Sequence, residues 1–94
     1  MDGQQQRKAF TAAETAIVSL GAGQPLKAKR NAHLAVELDQ IEAYSGLPRA
    51  VEMGIHDIEQ TGTVSGAVWD RLAELVGEGP LLALIDQQRN AVHG

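Results

Sequence analysis

Cysteine is absent from this chain of 94 residues. Disulfide frameworks, thiolate zinc sites and cysteine nucleophiles are therefore all excluded. Aromatic residues are scarce as well, since Phe10, Tyr44 and Trp69 are the only three. No apolar run approaches the ~20 residues that cross a membrane. We therefore expect a protein with a mostly aliphatic core that stays out of the membrane, and the lack of disulfides fits the cytoplasm.

The chain also lacks the alternating β-branched runs that predict strands. What it has is alanine and leucine, divided at intervals by glycine and proline. Its composition, 44% hydrophobic and 21% charged, is that of a folded domain. Its length leaves room for a single domain over residues 1–94 and for only a small core.

Glycine and proline divide the chain into five helical segments. Apolar residues recur at helical spacing at about 5–20, 25–44, 47–60, 63–76 and 80–92. Pro25, Pro48 and Pro80 stand in the first turns of three segments, where proline is tolerated. Short connections favour antiparallel neighbours. The sequence therefore predicts an all-α domain of five antiparallel helices. The second helix has so wide an apolar arc that we expect it to be covered on two sides.

A spacing of 39 residues relates two of the turns. Gly23 corresponds to Gly62, and Ala28 corresponds to Ala67. In each case the glycine permits a tight turn, and the alanine lets the next helix pack closely. This offset lies in the range of helical-hairpin repeats.

The first hairpin, residues 12–40, resembles a tetratricopeptide repeat. Gly23 stands at that family's turn glycine, Ala28 and Ala35 stand at the small positions of its second helix, and Ala16 stands at the small position of its first. Residues 48–77 resemble the family weakly. The resemblance implies two TPR-like hairpins in a right-handed stack, with a concave surface that binds peptides or helices and a fifth helix as the cap.

Charge is distributed unevenly along the chain. Up to Arg30, five basic residues and two acidic residues give +3, whereas from Asn31 onward three basic and ten acidic residues give −7. The net charge of −4 argues against general nucleic-acid binding. The acidic half suits a basic partner.

Three cations, Lys27, Lys29 and Arg30, cluster at the start of the second helix. Positive charge is unfavourable at a helix N-terminus unless an anion or an acidic group lies nearby. Three interpretations stay open. Lysine and arginine are good helix formers, and Glu37 partly compensates their charge. Alternatively, the cations form salt bridges to the acidic half of another molecule, or they bind an anion.

Nothing in the sequence has the spacing of a catalytic or metal site. The histidines His33, His56 and His93 are far apart, and the carboxylates follow polar helix stripes. We therefore predict no catalytic residue, no metal and no cofactor.

Two other classes of function remain as alternatives. The fourth and fifth helices have roughly the shape of a helix-turn-helix transcription regulator, but only Arg71 and Arg89 are there to contact phosphates, among several acidic residues. The other alternative is a small helical enzyme with an acid–base site between subunits.

The predicted function is a non-catalytic adaptor or regulatory module that binds a protein or peptide segment. The predicted partner-binding residues are Lys27, Arg30, Asn31, Tyr44 and Trp69. The lone tryptophan is either a core anchor or an interface hot spot. Self-association, as in a homodimer, is also expected, because a short stack leaves an apolar end surface and the two-signed charge suits pairing of identical chains.

Overall fold

The computed structural model describes residues 3–93, with side chains described as far as residue 91. It contains five helices and, within this range, no strand, which confirms the all-α prediction. The helices are α1 (Gly3–Gly21), α2 (Pro25–Leu38), α3 (Leu47–Thr61), α4 (Gly66–Val76) and α5 (Pro80–His93).

Proline and glycine bound these helices as the sequence indicates. Pro25 and Pro48 lie in the first turns of α2 and α3, and Pro80 begins α5. Gly62 ends α3 in the left-handed conformation, with φ of 87°, and its N–H donates to the Ile58 carbonyl at 2.8 Å. A side chain at this position would be strained, because L-residues rarely adopt this conformation.

The second helix ends at Leu38, so its predicted extension to residue 44 is wrong. Asp39 is the physical cause. Its carboxylate accepts the backbone N–H groups of Ile41 at 3.1 Å and Tyr44 at 2.7 Å, and the Gln6 Nε2 at 2.9 Å. These bonds give the backbone an alternative to the helix. Burial would raise the pKa of Asp39, but the hydrogen bonds outweigh it and hold the pKa below its ordinary value.

As predicted, α2 is covered on two sides, since it packs against both α1 and α3, but less of its apolar arc is buried than its width suggests. Only Ala28, Ala32 and Ala35 of α2 are buried. Leu34 is 40% exposed, and Val36 is exposed to a similar degree. The alanine stripe faces further alanines on α1, so these two helices approach closely, while the face of α2 that carries Leu34 is left uncovered by the other described helices.

The ends of successive helices meet as in antiparallel neighbours. The start of α1 bonds to the residue after α2 through Gln6 and Asp39. The residue before α3, Gly46, lies against Leu75 near the end of α4. Asp70, in the first half of α4, forms an ion pair with Arg89 in the second half of α5.

The fifth helix packs against α4 and against α1, whereas α3 and α5 make no close backbone approach within the described range. An open stack of hairpins would place its fifth helix against its third. Helices α1, α3, α4 and α5 instead close into a ring around the core. The largest fully buried side chains are Ile17, Leu20, Leu47, Val51, Trp69, Leu72 and Ile85. The protein is a small all-helical bundle of five helices.

Candidate protein-binding groove

A groove of about 640 Å³ runs between the outer faces of α1 and α2. From α1 it is lined by Gln4, Arg7, Lys8, Thr11, Ala12 and Thr15, and from α2 by Asn31, Leu34 and Leu38. Both sets recur every three or four residues, so each set forms one stripe of its helix.

The groove forms because the two helices meet through alanines. Close packing of Ala12 and Ala16 against α2 leaves the larger side chains beside the contact on the rim. Leu34 and Leu38 therefore line the groove, although both belong to the wide apolar arc of the second helix. Leu34 and the partly exposed Leu38 give the groove apolar surface on its α2 side.

Cationic side chains lie at both ends of this groove. Arg7 and Lys8 line the end near Leu38. Lys27 lies one turn before Asn31 at the other end, and its carbonyl accepts the Asn31 Nδ2 at 2.9 Å. Of the residues that line the groove, none is acidic.

One of the five predicted partner-binding residues lines this groove, and two more lie beside it on α2. Asn31 lines the groove, and Lys27 and Arg30 are exposed one turn or less before it on the same helix. The neighbouring Lys29 turns the other way and forms an ion pair with Glu52 of α3 at 3.7 Å. One of the three cations at the start of α2 therefore has an acidic neighbour within the chain.

Tyr44 lies elsewhere. It is half-buried beside a crevice of about 160 Å³ that Phe10, Val76 and Leu81 also line. Burial, and to a lesser extent the charge of Asp39, raise the pKa of its hydroxyl. Tyr44 therefore does not share a surface with Lys27.

Trp69 belongs to the core of the bundle. Its residue is 1% exposed, and its Nε1 makes no hydrogen bond in the described part of the chain. The ring borders a small cavity of about 50 Å³ next to the two repeat-related glycines, Gly23 and Gly62. Of the two interpretations of this tryptophan, the burial supports the core anchor and leaves no ring surface for a partner.

Sequence reasoning missed the α1 side of the groove. Arg7, Lys8, Thr11 and Thr15 were not candidates, because a search for apolar periodicity discards a polar stripe. The sequence feature that could have revealed the groove is a pair of helically spaced stripes, at positions 4, 8, 11 and 15 of α1 and at positions 27, 31, 34 and 38 of α2. A short turn places such stripes side by side only when the faces between them are small enough to pack closely.

A second groove of about 450 Å³ lies between α3 and α4. Its lining mixes both charges, with Arg49 against Glu52 and Asp57, around Met53, which is 47% exposed. This groove has no uniform charge to select a partner.

The arginines of the predicted helix-turn-helix region are engaged in ion pairs. Arg89 contacts Asp70 at 2.8 Å and Asp86 at 3.3 Å, and Arg71 contacts Glu74 at 3.8 Å. Phosphate contacts would have to compete with these carboxylates.

Within the described residues, no group of three or more histidine, cysteine or acidic side chains could hold a metal ion. His33 and His56 are exposed, and the side chain of His93 lies outside the described residues. None of the helices described is both long and apolar enough to span a bilayer.

Comparison of the chain with protein-family models, with curated proteins and with solved structures gave no match. The resemblance to the tetratricopeptide repeat therefore rests on its residues alone. The class that the fold defines is the small five-helix bundle.

Proposed function

We propose that this protein is a non-catalytic interaction module, an adaptor or regulator that binds a protein or peptide segment in the groove between α1 and α2. One observation supports the proposal above the others. The lining of this concave groove includes half-exposed Leu34 and two cationic side chains, and it includes no acidic side chain. Apolar contact supplies affinity at such a surface, and the charges supply orientation and rate.

The TPR-like interpretation is part of the same proposal. Small residues such as Ala28 and Ala32 bring α1 and α2 together in the first hairpin, and this close pairing creates the groove beside them. A cytoplasmic location remains an expectation that rests on the lack of cysteine.

Selection from a displayed library of helical peptides tests the proposal. Peptides are selected on the wild-type protein and then compared on Leu34→Glu and on Met53→Glu. The two substitutions are matched, since both replace a half-exposed aliphatic side chain on a helix, at 40% and 47% exposure. Circular dichroism serves as the control for whether both variants keep their helices.

We expect the selected peptides to bind wild type and Met53→Glu and to lose at least about tenfold in affinity on Leu34→Glu, because a charge in the groove must be desolvated under the peptide. Peptides that lose affinity only on Met53→Glu would move the binding surface to the α3–α4 groove. A selection that recovers no binder would remove the support for an interaction module.

A further inference from the structure

The charges around the α1–α2 groove define a class of occupant. Building on the proposed function, we infer that the groove binds an amphipathic helix of another protein, with an apolar centre and acidic residues near both of its ends. The inference rests on the positions of four cations, on the shape of the groove and on the absence of strands from the described chain.

The four cations form two clusters at a defined separation. Arg7 and Lys8, which line the groove, form the first cluster, and Lys27 and Arg30, which are exposed on α2 just outside the lining, form the second. Because α1 and α2 are joined by a three-residue turn and Gln6 bonds to Asp39, Lys27 lies level with the last turn of α1. That turn is about eleven residues beyond Lys8, which is roughly 16 Å at 1.5 Å per residue.

Between the clusters the groove is mainly apolar. Leu34 lines the α2 side, and Thr11, Ala12 and Thr15 line the α1 side. A partner helix with its apolar stripe on this centre would bring its two ends to the two cationic clusters. Acidic residues about eleven positions apart on that helix would reach both clusters.

A helix fits this surface better than an extended segment does. An extended peptide gains affinity by adding to the edge of a sheet, and the described residues contain no sheet. A groove between two packed helices instead has the ridges into which a third helix can dock. A bilayer surface is flat, so it would touch the rims of a concave groove and leave the floor of the groove unfilled.

The charges also disfavour a symmetric pair of identical chains joined through this groove. Such a dimer would place Arg7 and Lys8 against the same residues, or against Lys27 and Arg30, of the second copy. Like charges facing each other across an interface are unfavourable. Glu14 and Glu37 are exposed on the same two helices outside the lining, as Lys27 and Arg30 are, and the lining itself carries Arg7 and Lys8 and no acid.

Two matched synthetic peptides test the inference. Each is an amphipathic helix of about 16 residues with a leucine stripe; one carries glutamates at both ends, eleven positions apart, and the other carries lysines there. Binding to the full chain is measured by fluorescence anisotropy at low and at physiological salt. The variants are Arg7→Glu with Lys8→Glu, Lys27→Glu with Arg30→Glu, and the control Arg49→Glu, which reverses an exposed cation on α3.

We expect the glutamate peptide to bind at least about tenfold more tightly than the lysine peptide, with a difference that shrinks as salt rises. Each double variant should bind the glutamate peptide several-fold more weakly than wild type does, and Arg49→Glu should bind this peptide as wild type does. Reversal of both clusters together should reverse the preference between the two peptides.

Four results would overturn the inference. Equal or tighter binding of the lysine peptide, still dependent on Leu34, would refute the acidic partner and leave the interaction module standing. If neither peptide binds while library-selected peptides still require Leu34, the acidic partner is likewise refuted and the interaction module still stands. Tight binding to phosphatidylserine vesicles without a preference for the glutamate peptide would assign the cations to a lipid surface. A concentration-dependent mass in light scattering that Leu34→Glu abolishes would assign the groove to a second copy.

Discussion

Replacement of Trp69 by alanine is expected to cost a large fraction of the stability of the fold. The indole is 1% exposed and packs beside Leu20, Ile58 and Val64. Truncation of a buried tryptophan to alanine typically costs about 3–5 kcal/mol, since the apolar contacts are lost and a cavity remains. A domain of this size has a total free energy of unfolding of only about 5–15 kcal/mol. The small cavity already beside the ring would enlarge, and the surrounding helices limit its collapse.

The assay is urea unfolding followed by circular dichroism, because the variant lacks the only tryptophan and its fluorescence cannot report. Trp69→Phe provides an internal comparison. It removes a buried N–H that lacks a hydrogen-bond partner among the described residues while it keeps an aromatic ring, so we expect a loss of about 1–2 kcal/mol. Leu26→Ala, at a residue that is 77% exposed, is the control and should change stability by less than about 0.5 kcal/mol.

A loss of less than about 1 kcal/mol for Trp69→Ala would refute this reasoning. It would mean that the ring contributes little to the core and would reopen its interpretation as an interface residue. In the wild-type protein, the tryptophan emission should be blue-shifted and should move to longer wavelength on unfolding.

Two further substitutions probe the helix packing and the loop after α2. Gly54→Ala should destabilise the protein by about 1 kcal/mol in urea unfolding. The added Cβ would lie 2.8 Å from the buried Leu20 Cδ2, and such overpacking typically costs about 1–3 kcal/mol. The better helix propensity of alanine offsets about 1 kcal/mol of that cost. Gly66→Ala, where no atom lies within 4 Å of the added Cβ, should be neutral or stabilising, and the same loss at both positions would contradict the packing argument. For Asp39, the folded pKa lies below the unfolded one, so its contribution to stability is present above the unfolded pKa and is lost as pH falls through the folded pKa. The urea midpoint of Asp39→Asn should therefore fall less than that of wild type between about pH 5 and pH 2, and parallel pH profiles would show that the carboxylate does not carry this dependence.

The helices were predictable because their boundaries depend on local chemistry. Pro25 and Pro48 favour the first turn of a helix, and Gly62 permits the left-handed conformation that ends one. These preferences are local, so they can be predicted without knowledge of the rest of the chain. The burial of Ala28 and Ala35 could likewise be predicted from their helical spacing.

The features that escaped prediction all depend on contacts between distant segments. Asp39 ends α2 with help from Gln6, which is 33 residues away in sequence. Leu34 has the spacing of a core residue, but none of the described helices covers it, because α3 packs against another side of α2 and α5 packs against α1 near Gly21. Arg7 and Lys8 gain their place in the groove only from the position of α2.

The central claim is that the α1–α2 groove is the surface that binds a partner helix. The most direct measurement is the shift of backbone amide resonances as the glutamate peptide is titrated into the isotopically labelled chain. We predict the largest shifts at Thr11, Thr15, Asn31 and Leu34, with Met53 and His56 of the α3–α4 groove unchanged. Shifts confined to α3 and α4, or no shifts at saturating peptide, would contradict the account.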